Sequence, residues 1–256
     1  MTKRTTRVVK VGGRAQGDPA LAGAIAAAVA AGDAVCVVHG GGDEVSQLQR
    51  RLGMEPKFSG GRRVTSTEDL EVVRMVLSGA TNKRLVAQLV SVGVRAVGIS
   101  GEDAALFRAR ATDPERMGRV GGTVNVDPSV IEHLLTGGYV PVVSPLARDA
   151  EDAGGAGLNV NGDDAAAALA AALGADDLVL VADVPGVLDG DRVIASLDAD
   201  AAAELVRRGI ATGGMAAKLD AAGQALRGGV LSVRIAGVAG ISDLAAGTRL
   251  VRSLSL

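Results

Sequence analysis

Residues Thr6–Gly13 read TRVVKVGG, an apolar strand that holds one lysine and ends in two glycines. Lysine is rare inside a buried strand, because its ammonium group loses hydration there unless a negative partner is close. A second stretch, Val35–Gly42, reads VCVVHGGG and also runs from an apolar strand into glycines. Such glycines let a ligand approach the backbone closely. Two strands that end in glycine loops, with Lys10 aimed at the loops, indicate an anion-binding crevice, and the expected anion is phosphate.

Short apolar runs alternate with helical stretches along the chain. This order predicts an α/β fold with an open, mostly parallel sheet sandwiched by helices. A boundary between two lobes is expected near Gly174, where a long helix gives way to a new strand. The predicted core strands are Thr6–Val11, Ala34–Val38, Ala96–Ser100, Val140–Ser144, Leu178–Ala182 and Val233–Ala236.

Several connections between these strands carry recognisable signals. A capping box at Thr65–Glu68 predicts a helix that runs to about Leu77. Gly79 is expected to end that helix, and a separate helix is expected over 81–92. The polar segments 107–126 and 148–159 are rich in turn residues and are expected to form hairpin excursions.

Composition narrows the class of protein. The chain has 256 residues, of which 48% are hydrophobic and 22% charged, as in an ordinary soluble globular protein. The net charge of −2 predicts neither a nucleic-acid partner nor binding to an anionic membrane. With Cys36 as its one cysteine, the chain cannot form an internal disulfide, which fits a reducing cytoplasm. No signal peptide or membrane span is expected.

Further polar residues follow predicted strands or begin predicted helices. Arg63 precedes a capped helix and could clamp a carboxylate, or could be a solvated hairpin charge. Asn159 and Asn161 point to one side of a short segment and offer amide donors and acceptors to a polar ligand. Asp163 and Asp164 could simply complement the helix dipole, an interpretation that is stronger for Asp164 than for Asp163. His39 could be a catalytic base, but a role in packing its loop is favoured, since no second histidine or carboxylate motif accompanies it.

Motifs of several large enzyme classes do not occur in the sequence. There is no G-x-x-x-x-G-K-[ST] loop, no G-x-G-x-x-G opening a helix and no H-E-x-x-H. The H-R-D and D-F-G motifs of protein kinases are missing as well. Common P-loop NTPases, dehydrogenases, zinc hydrolases and protein kinases therefore lose support.

Five motifs, taken together and in this order, resemble those of the amino acid kinase family: Val9–Gly13, His39–Gly42, Arg63–Thr65, Asn159–Asp163 and Gly214–Lys218. The resemblance extends from about Val8 to Thr248. It is strongest to the members that use ATP with Mg²⁺ to phosphorylate the side-chain carboxylate of N-acetyl-L-glutamate in arginine biosynthesis. It implies two lobes on one continuous sheet, residues 1–174 for the amino acid substrate and residues 175–256 for ATP.

The resemblance also implies roles for individual residues. Lys10 and Lys218 would stabilise the transferring phosphoryl group, and Asp163 would organise the two lysines. The substrate would be held by Gly41, Gly42, Arg63 and Asn159. The nucleotide would be held by Gly12, Gly13, Asp183, Val184, Pro185, Gly186, Val187, Leu188, Ile210, Ala211 and Thr212. Neither the resemblance nor the sequence identifies ligands for the metal.

Two departures from the family pattern affect these expectations. The family's glycine–leucine–arginine turn is Gly61-Arg62-Arg63 here, which places a second guanidinium near the substrate. The sequence also begins a few residues before its first strand, without the extra N-terminal helix that links dimers into hexamers in arginine-sensitive members. We therefore expect a homodimer that arginine does not inhibit.

Two other functions are compatible with the motifs. A kinase for carrier-protein-linked aminoadipate or glutamate in lysine biosynthesis would need a surface for its carrier, often a basic one. The chain offers only a modest cluster: Arg62, Arg63, Arg108, Arg110, Arg116 and Arg119. A catalytically silent sensor is disfavoured, because binding alone would not require both Lys10 and Lys218.

Overall fold

The computed structural model describes residues 4–152, 154 and 156–252. The strands are β1 (Thr6–Val11), β2 (Ala34–His39), β3 (Phe58–Ser59), β4 (Arg62–Arg63), β5 (Ala96–Ser100), β6 (Phe107–Ala111), β7 (Gly121–Val126), β8 (Val140–Ser144), β9 (Leu146–Asp149), β10 (Gly157–Asn159), β11 (Asp177–Val181), β12 (Leu188–Asp189), β13 (Arg192–Val193), β14 (Ser196–Asp198), β15 (Ser232–Ala236) and β16 (Thr248–Val251). The α-helices are α1 (Leu21–Ala30), α2 (Gly42–Arg51), α3 (Thr67–Arg74), α4 (Asn82–Ser91), α5 (Pro114–Met117), α6 (Ser129–Thr136), α7 (Gly162–Ala172), α8 (Ala199–Arg207) and α9 (Gly213–Arg227).

The main sheet has eight strands in the order β14-β16-β15-β11-β1-β2-β8-β5. From β15 to β5 every pairing is parallel, whereas β16 is antiparallel to β15 and β14 runs with β16. The predicted α/β class and mostly parallel sheet are therefore confirmed. Because β1 lies directly between β2 and β11, the loops that follow these three strands meet at one edge of the sheet.

The core lies on both faces of this sheet. Val8, Cys36 and Leu178 belong to the apolar cluster on one face, and the next residue of each strand, such as Val9, belongs to the cluster on the other. This alternation is what strands buried on both sides require, and it explains their continuous apolar sequences. Burial raises the pKa of the Cys36 thiol, which packs as a small core residue.

The predicted break at Gly79 is wrong. Helix α3 continues through a π-helical segment, Met75–Thr81, directly into α4. A Cβ atom placed on Gly79 would meet nothing within 4 Å, and nothing in the backbone there requires glycine.

The capping box at the start of α3 is formed by Ser66 and Asp69. The Ser66 hydroxyl accepts a bond from the Asp69 amide at 3.1 Å, and the Asp69 carboxylate accepts one from the Ser66 amide at 2.9 Å.

The two predicted hairpin excursions form a second, four-stranded sheet in the order β10-β9-β6-β7. Strands β6 and β7 pair antiparallel, as do β9 and β10. Ala153 and Gly155, within the second excursion, lie outside the described residues. The short strands β14 and β16, at one end of the strand order of the main sheet, were not predicted from the sequence.

The main sheet has two halves that follow chain order. Strands up to residue 144 form one half, strands from residue 177 onward form the other, and β1 meets β11 at the junction. The division into lobes near Gly174 stays a prediction. Among the described residues, no helix has the length and apolar character needed to cross a membrane.

Candidate active site

The two glycine loops lie against each other at the carboxyl edge of the sheet. The Gly40 amide donates to the carbonyl of Val11 at 2.9 Å, and a Cβ atom on Gly13 would lie 3.9 Å from the Cα of Gly41. Gly41 has φ 154°, and a Cβ atom there would lie 2.7 Å from the Leu77 side chain. Helix α2 begins at the next residue, so the second loop ends at a helix N-terminus, where backbone amides favour anions.

A cavity of about 230 Å³ opens on one side of the second glycine loop. All four residues predicted to bind the substrate line it. Its walls are formed by Gly40, Gly41, Gly42, Val45, Phe58, Gly61, Arg62, Arg63, Val73, Leu77, Val120, Pro145, Asn159, Val160, Asn161 and Gly162. We call this the smaller cavity.

A cavity of about 470 Å³ opens on the other side of the same loop, and Gly42 lines both spaces. This larger cavity is lined by Gly12, Gly13, Arg14, Gly42, Asp43, Val181, Ala182, Asp183, Val184, Gly214, Met215 and Lys218. Four of the residues predicted to bind nucleotide are therefore in its walls. The others are not among its lining residues: Pro185, Gly186, Val187 and Leu188 lead from it into β12, and Ile210, Ala211 and Thr212 precede α9.

Three charged side chains from different elements meet between the cavities. The ammonium of Lys10, on β1, lies 3.0 Å from an oxygen of Asp163, on α7. The ammonium of Lys218, on α9, lies 3.2 Å from the same oxygen. Lys218 lines the larger cavity. Lys10 lies against Gly162 of the smaller cavity, where its Cε atom is 3.3 Å from the position that a Cβ atom on Gly162 would occupy. The structure thus brings the three predicted catalytic residues together.

Burial and charge act in opposite directions in this cluster. Burial would raise the pKa of Asp163, which is 5% exposed, but the two lysines outweigh it and hold the pKa below its usual value. Burial and the neighbouring charge of Lys10 lower the pKa of Lys218, while Asp163 opposes that shift. The carboxylate therefore stays ionised and keeps two ammonium groups close together, with one negative charge shared by two positive ones.

The local sequence of α7 explains the position of Asp163. Asn161 caps the helix, and its side-chain oxygen accepts bonds from the amides of Asp163 at 2.8 Å and Asp164 at 3.2 Å. These bonds fix the first turn of α7, where a carboxylate is favoured by the helix dipole. The neighbouring Asn159 donates to the hydroxyl of Thr65 at 3.1 Å and lines the smaller cavity.

Arg63 is held from one side by α2. Its guanidinium donates to the carbonyl of Gly42 and to the hydroxyl of Ser46, each at 2.7 Å, and also to the side chain of Gln49. The ring of Phe58 lies 4.8 Å from the guanidinium carbon. Burial lowers the pKa of Arg63. The side chain is thus fixed in the wall of the smaller cavity and is not a solvated hairpin charge.

Two side chains that hold the loops in place, Asn82 and Gln49, were not predicted from the sequence. Asn82 donates to His39 Nε2 at 3.1 Å, so His39 Nδ1 carries the proton and donates to the carbonyl of Gly40 at 2.8 Å. Burial lowers the pKa of His39 to about 4, so the ring is neutral near pH 7 and packs its loop. Gln49 was missed because it lies in a polar stretch of sequence, although it is fully buried.

The described residues hold no group of three or more His, Cys, Asp or Glu side chains arranged to bind a metal ion. A metal that arrives with the nucleotide needs no such resident site, because phosphate oxygens and water supply most of its ligands.

Comparison with known proteins identifies the family of the chain. The model of the amino acid kinase family matches residues 5–237. Acetylglutamate kinase of Chloroflexus aurantiacus is 42% identical over 248 residues, 96% of each chain, and that of Methanopyrus kandleri is 46% identical over 217 residues, 81% of this chain and 87% of the relative. The crystal structure of smu.665 from Streptococcus mutans superposes with a TM-score of 0.86 at 29% identity, covering 96% of this chain and 98% of that one. The chain therefore belongs to the amino acid kinase family.

Proposed function

We propose that this chain transfers the γ-phosphoryl group of ATP to the side-chain carboxylate of N-acetyl-L-glutamate, a step of arginine biosynthesis. The observation that carries the proposal is the cluster of Lys10, Asp163 and Lys218 between two cavities. Sequence identity of 42% over 96% of a named acetylglutamate kinase supports the choice of substrate. The smaller cavity would hold the amino acid, and the larger one the magnesium complex of ATP.

The reaction needs no general base. A free carboxylate with a pKa near ~4 is already ionised at neutral pH, so its oxygen can attack the γ-phosphorus directly. A new carboxylate–phosphorus bond forms, the bond to the β-phosphate oxygen breaks, and ADP leaves with that electron pair. The neutral, buried state of His39 is consistent with this chemistry.

Catalysis would depend on positioning the two substrates and on stabilising the negative charge of the transition state. Phosphoryl transfer passes through a loose transition state whose negative charge is spread over the phosphoryl oxygens. Lys10 and Lys218 share one carboxylate oxygen, and each ammonium has three donors, so both retain hydrogens to direct at those oxygens. Amides of the two glycine loops add donors, and Asp163 keeps the lysines oriented.

Several further properties are part of the same proposal. Residues 1–174 would form the lobe for the amino acid, and residues 175–256 the lobe for ATP, so that Lys10 and Lys218 approach the reacting atoms from opposite lobes. Arg63 and Asn159 would hold the acetylglutamate with the amides of Gly41 and Gly42. The enzyme would act in the cytoplasm as a homodimer.

The test is an ADP-release assay with ATP and Mg²⁺ that compares N-acetyl-L-glutamate with glutamate and aminoadipate. Hydroxylamine in the same reaction converts an acyl phosphate to a hydroxamate, which gives an independent readout of the product. We expect ADP and hydroxamate only with acetylglutamate. Turnover with another amino acid, or none with acetylglutamate, would contradict the proposed substrate.

A further inference from the structure

The hairpin β3–β4 forms one wall of the smaller cavity, and it is very short. Its strands pair only at Phe58 with Arg63 and at Ser59 with Arg62. Its turn is Gly60-Gly61, at φ 55° and 76°. A two-stranded hairpin is marginally stable in water on its own, so contacts with neighbouring elements must set its position.

Two adjacent arginines connect this hairpin to different helices. Arg63 is bonded to α2, as described above. Arg62 reaches the other way, where its guanidinium lies 2.7 Å from the carboxylate of Asp164 on the first turn of α7. The side chain of Arg62 is 43% exposed and that of Asp164 is 15% exposed. Asp164 directly follows Asp163, so the pair links the hairpin to the helix that carries the shared carboxylate.

Arg62 also marks the border between two spaces. It lines the smaller cavity and a neighbouring cavity of about 350 Å³, which Asp164 lines as well. Although Arg62 is in the wall of the smaller cavity, its guanidinium is paired with a protein carboxylate. A substrate carboxylate would have to displace Asp164 to take its place.

We propose that the Arg62–Asp164 ion pair positions hairpin β3–β4 over the smaller cavity, and that Arg62 acts through Asp164 and not as a ligand of the substrate. This inference rests on the proposed function, since the smaller cavity is taken to hold acetylglutamate. Both residues are positioning residues for that reaction. A partly exposed ion pair contributes modestly, so the expected effect on KM is about two- to fivefold.

The two roles of Arg62 predict opposite results for Asp164→Asn. If the pair positions the hairpin, Arg62→Leu and Asp164→Asn both raise the KM for acetylglutamate about two- to fivefold and leave the KM for ATP unchanged. If Arg62 binds the substrate, Asp164→Asn frees its guanidinium and lowers that KM. The charge-reversed double variant, Arg62→Asp with Asp164→Arg, re-forms the pair and should bring the KM back towards the parent value.

Hydrogen–deuterium exchange measures the hairpin without turnover. Peptides spanning residues 57–64 should exchange faster in both single variants and return to the parent rate in the double variant. Arg110→Leu is the matched control: it removes a surface ion pair, 3.4 Å from Arg110 to Glu151, whose side chains are 77% and 64% exposed. It should change neither the hairpin exchange nor the KM.

Three outcomes would overturn the proposal: a lower KM in Asp164→Asn, unchanged exchange in both single variants, or no recovery in the double variant. Failure of the proposed function is a separate result, seen as a parent enzyme that does not phosphorylate acetylglutamate. The exchange comparison would still decide whether the ion pair positions the hairpin.

Discussion

At the scale of single residues, the candidate site depends on one buried carboxylate that serves two lysines. Lys10 and Asp163 are 7% and 5% exposed, and they come from a strand and a helix on separate parts of the chain. Without Asp163, two ammonium groups would face each other in a place with little water. The arrangement therefore explains how a lysine is tolerated in the central strand of the sheet.

Replacing Lys218 with alanine should lower kcat by at least ~100-fold, the size of effect seen when a preorganised charge stabiliser is removed. The Lys218 ammonium lies on Asp163 at the border of the larger cavity. Steady-state kinetics with acetylglutamate and ATP measures the change. Asp220→Ala, at an exposed position on the same helix, is the control and should stay within about twofold of the parent. A Lys218→Ala enzyme within a few-fold of the parent would refute the role of the lysine.

His39 should make the protein less stable in mild acid. Its pKa is about 4 in the folded protein, against 6.5 ordinarily, because the ring is buried. The unfolded chain therefore binds a proton near pH 6.5 that the folded protein takes up only near pH 4. The contribution of His39 to the free energy of unfolding should be constant above that window and should fall by about 3 kcal/mol as the pH is lowered through it.

Urea unfolding between pH 7.5 and pH 4.5 measures this dependence, with His39→Gln as the comparison. The variant lacks the titrating ring, while carboxylates contribute equally to both proteins. Its unfolding free energy should change less over this range. Parallel curves for the two proteins would show that His39 is not the group responsible.

The residues that could be found from sequence are those whose type conflicts with their neighbours. Lys10 is conspicuous because it interrupts an apolar strand. Asn82 and Gln49 are not, because each lies among polar residues of a helix, and only the packing of that helix shows that both are fully buried. Their partners, His39 and Arg63, are distant in sequence, so local pattern carries no sign of the contact.

At the scale of elements, the largest difference from the prediction is the continuous helix that packs against the second glycine loop. Leu77, in its π-helical segment, packs where a Cβ atom on Gly41 would stand, and Thr81 donates to Glu44 on α2 at 3.1 Å. A π turn inserts an extra residue and rotates the residues that follow it. The segment thus sets which side chains of the long helix face the loop.

Gly79→Ala should stabilise the protein by about 0.5–1 kcal/mol, because alanine suits a continuous helix better than glycine does. Nothing lies within 4 Å of the added Cβ atom. Gly93→Ala is the contrasting variant and should destabilise the protein, since Gly93 has φ +85° just after α4. Both changes are measured by urea unfolding. A destabilising Gly79→Ala would indicate that the helix does end at this glycine.

Sequence pattern locates the central strands to within a residue or two, because each is a continuous apolar run. It fails at β14 and β16, whose residues alternate between buried and exposed at the edge of the sheet. It also fails at Gly79, where the low helix propensity of glycine suggests a break that tertiary packing overrides. The second sheet joins segments far apart in the chain, and no local signal could show that pairing.

At the scale of the whole molecule, a cluster of buried charged side chains connects the two halves of the main sheet. Asp177 on β11 accepts from Arg7 on β1 at 3.0 Å and from Arg234 on β15 at 2.7 Å. Both arginines also donate to backbone carbonyls, those of Ile241 and Gly240. The cluster lies near the amino ends of these strands, away from the glycine loops. It fixes β1 against the half of the sheet that contains β11 and β15.

The edge of the main sheet formed by β5 is where we expect a second copy of the chain to pack. Strand β5 is the last strand there, and four of its five residues are partly exposed, including Val97 and Ile99. Nearby, Val90 and Val92 are 54% and 46% exposed at the end of α4. Apolar edges of this kind are usually covered.

We expect gel filtration with light scattering to give twice the chain mass of 25.5 kDa. Val90→Glu should shift the mass towards the monomer, whereas a charge at exposed Leu231, on another part of the surface, should leave it unchanged. A monomeric or hexameric parent would contradict the homodimer. Inhibition of the parent by added arginine would contradict the expected insensitivity.

The scarcity of aromatic residues has a practical consequence. The chain contains no tryptophan, one tyrosine and two phenylalanines. One of these, Phe58, lies on the hairpin with its ring 4.8 Å from the guanidinium of Arg63. In a Phe58→Trp variant the new tryptophan would be the sole indole fluorophore of the chain. Its emission would therefore report on the surroundings of the hairpin without a signal from other tryptophans. Stopped-flow fluorescence of such a variant would show whether the surroundings of the hairpin change when acetylglutamate is added.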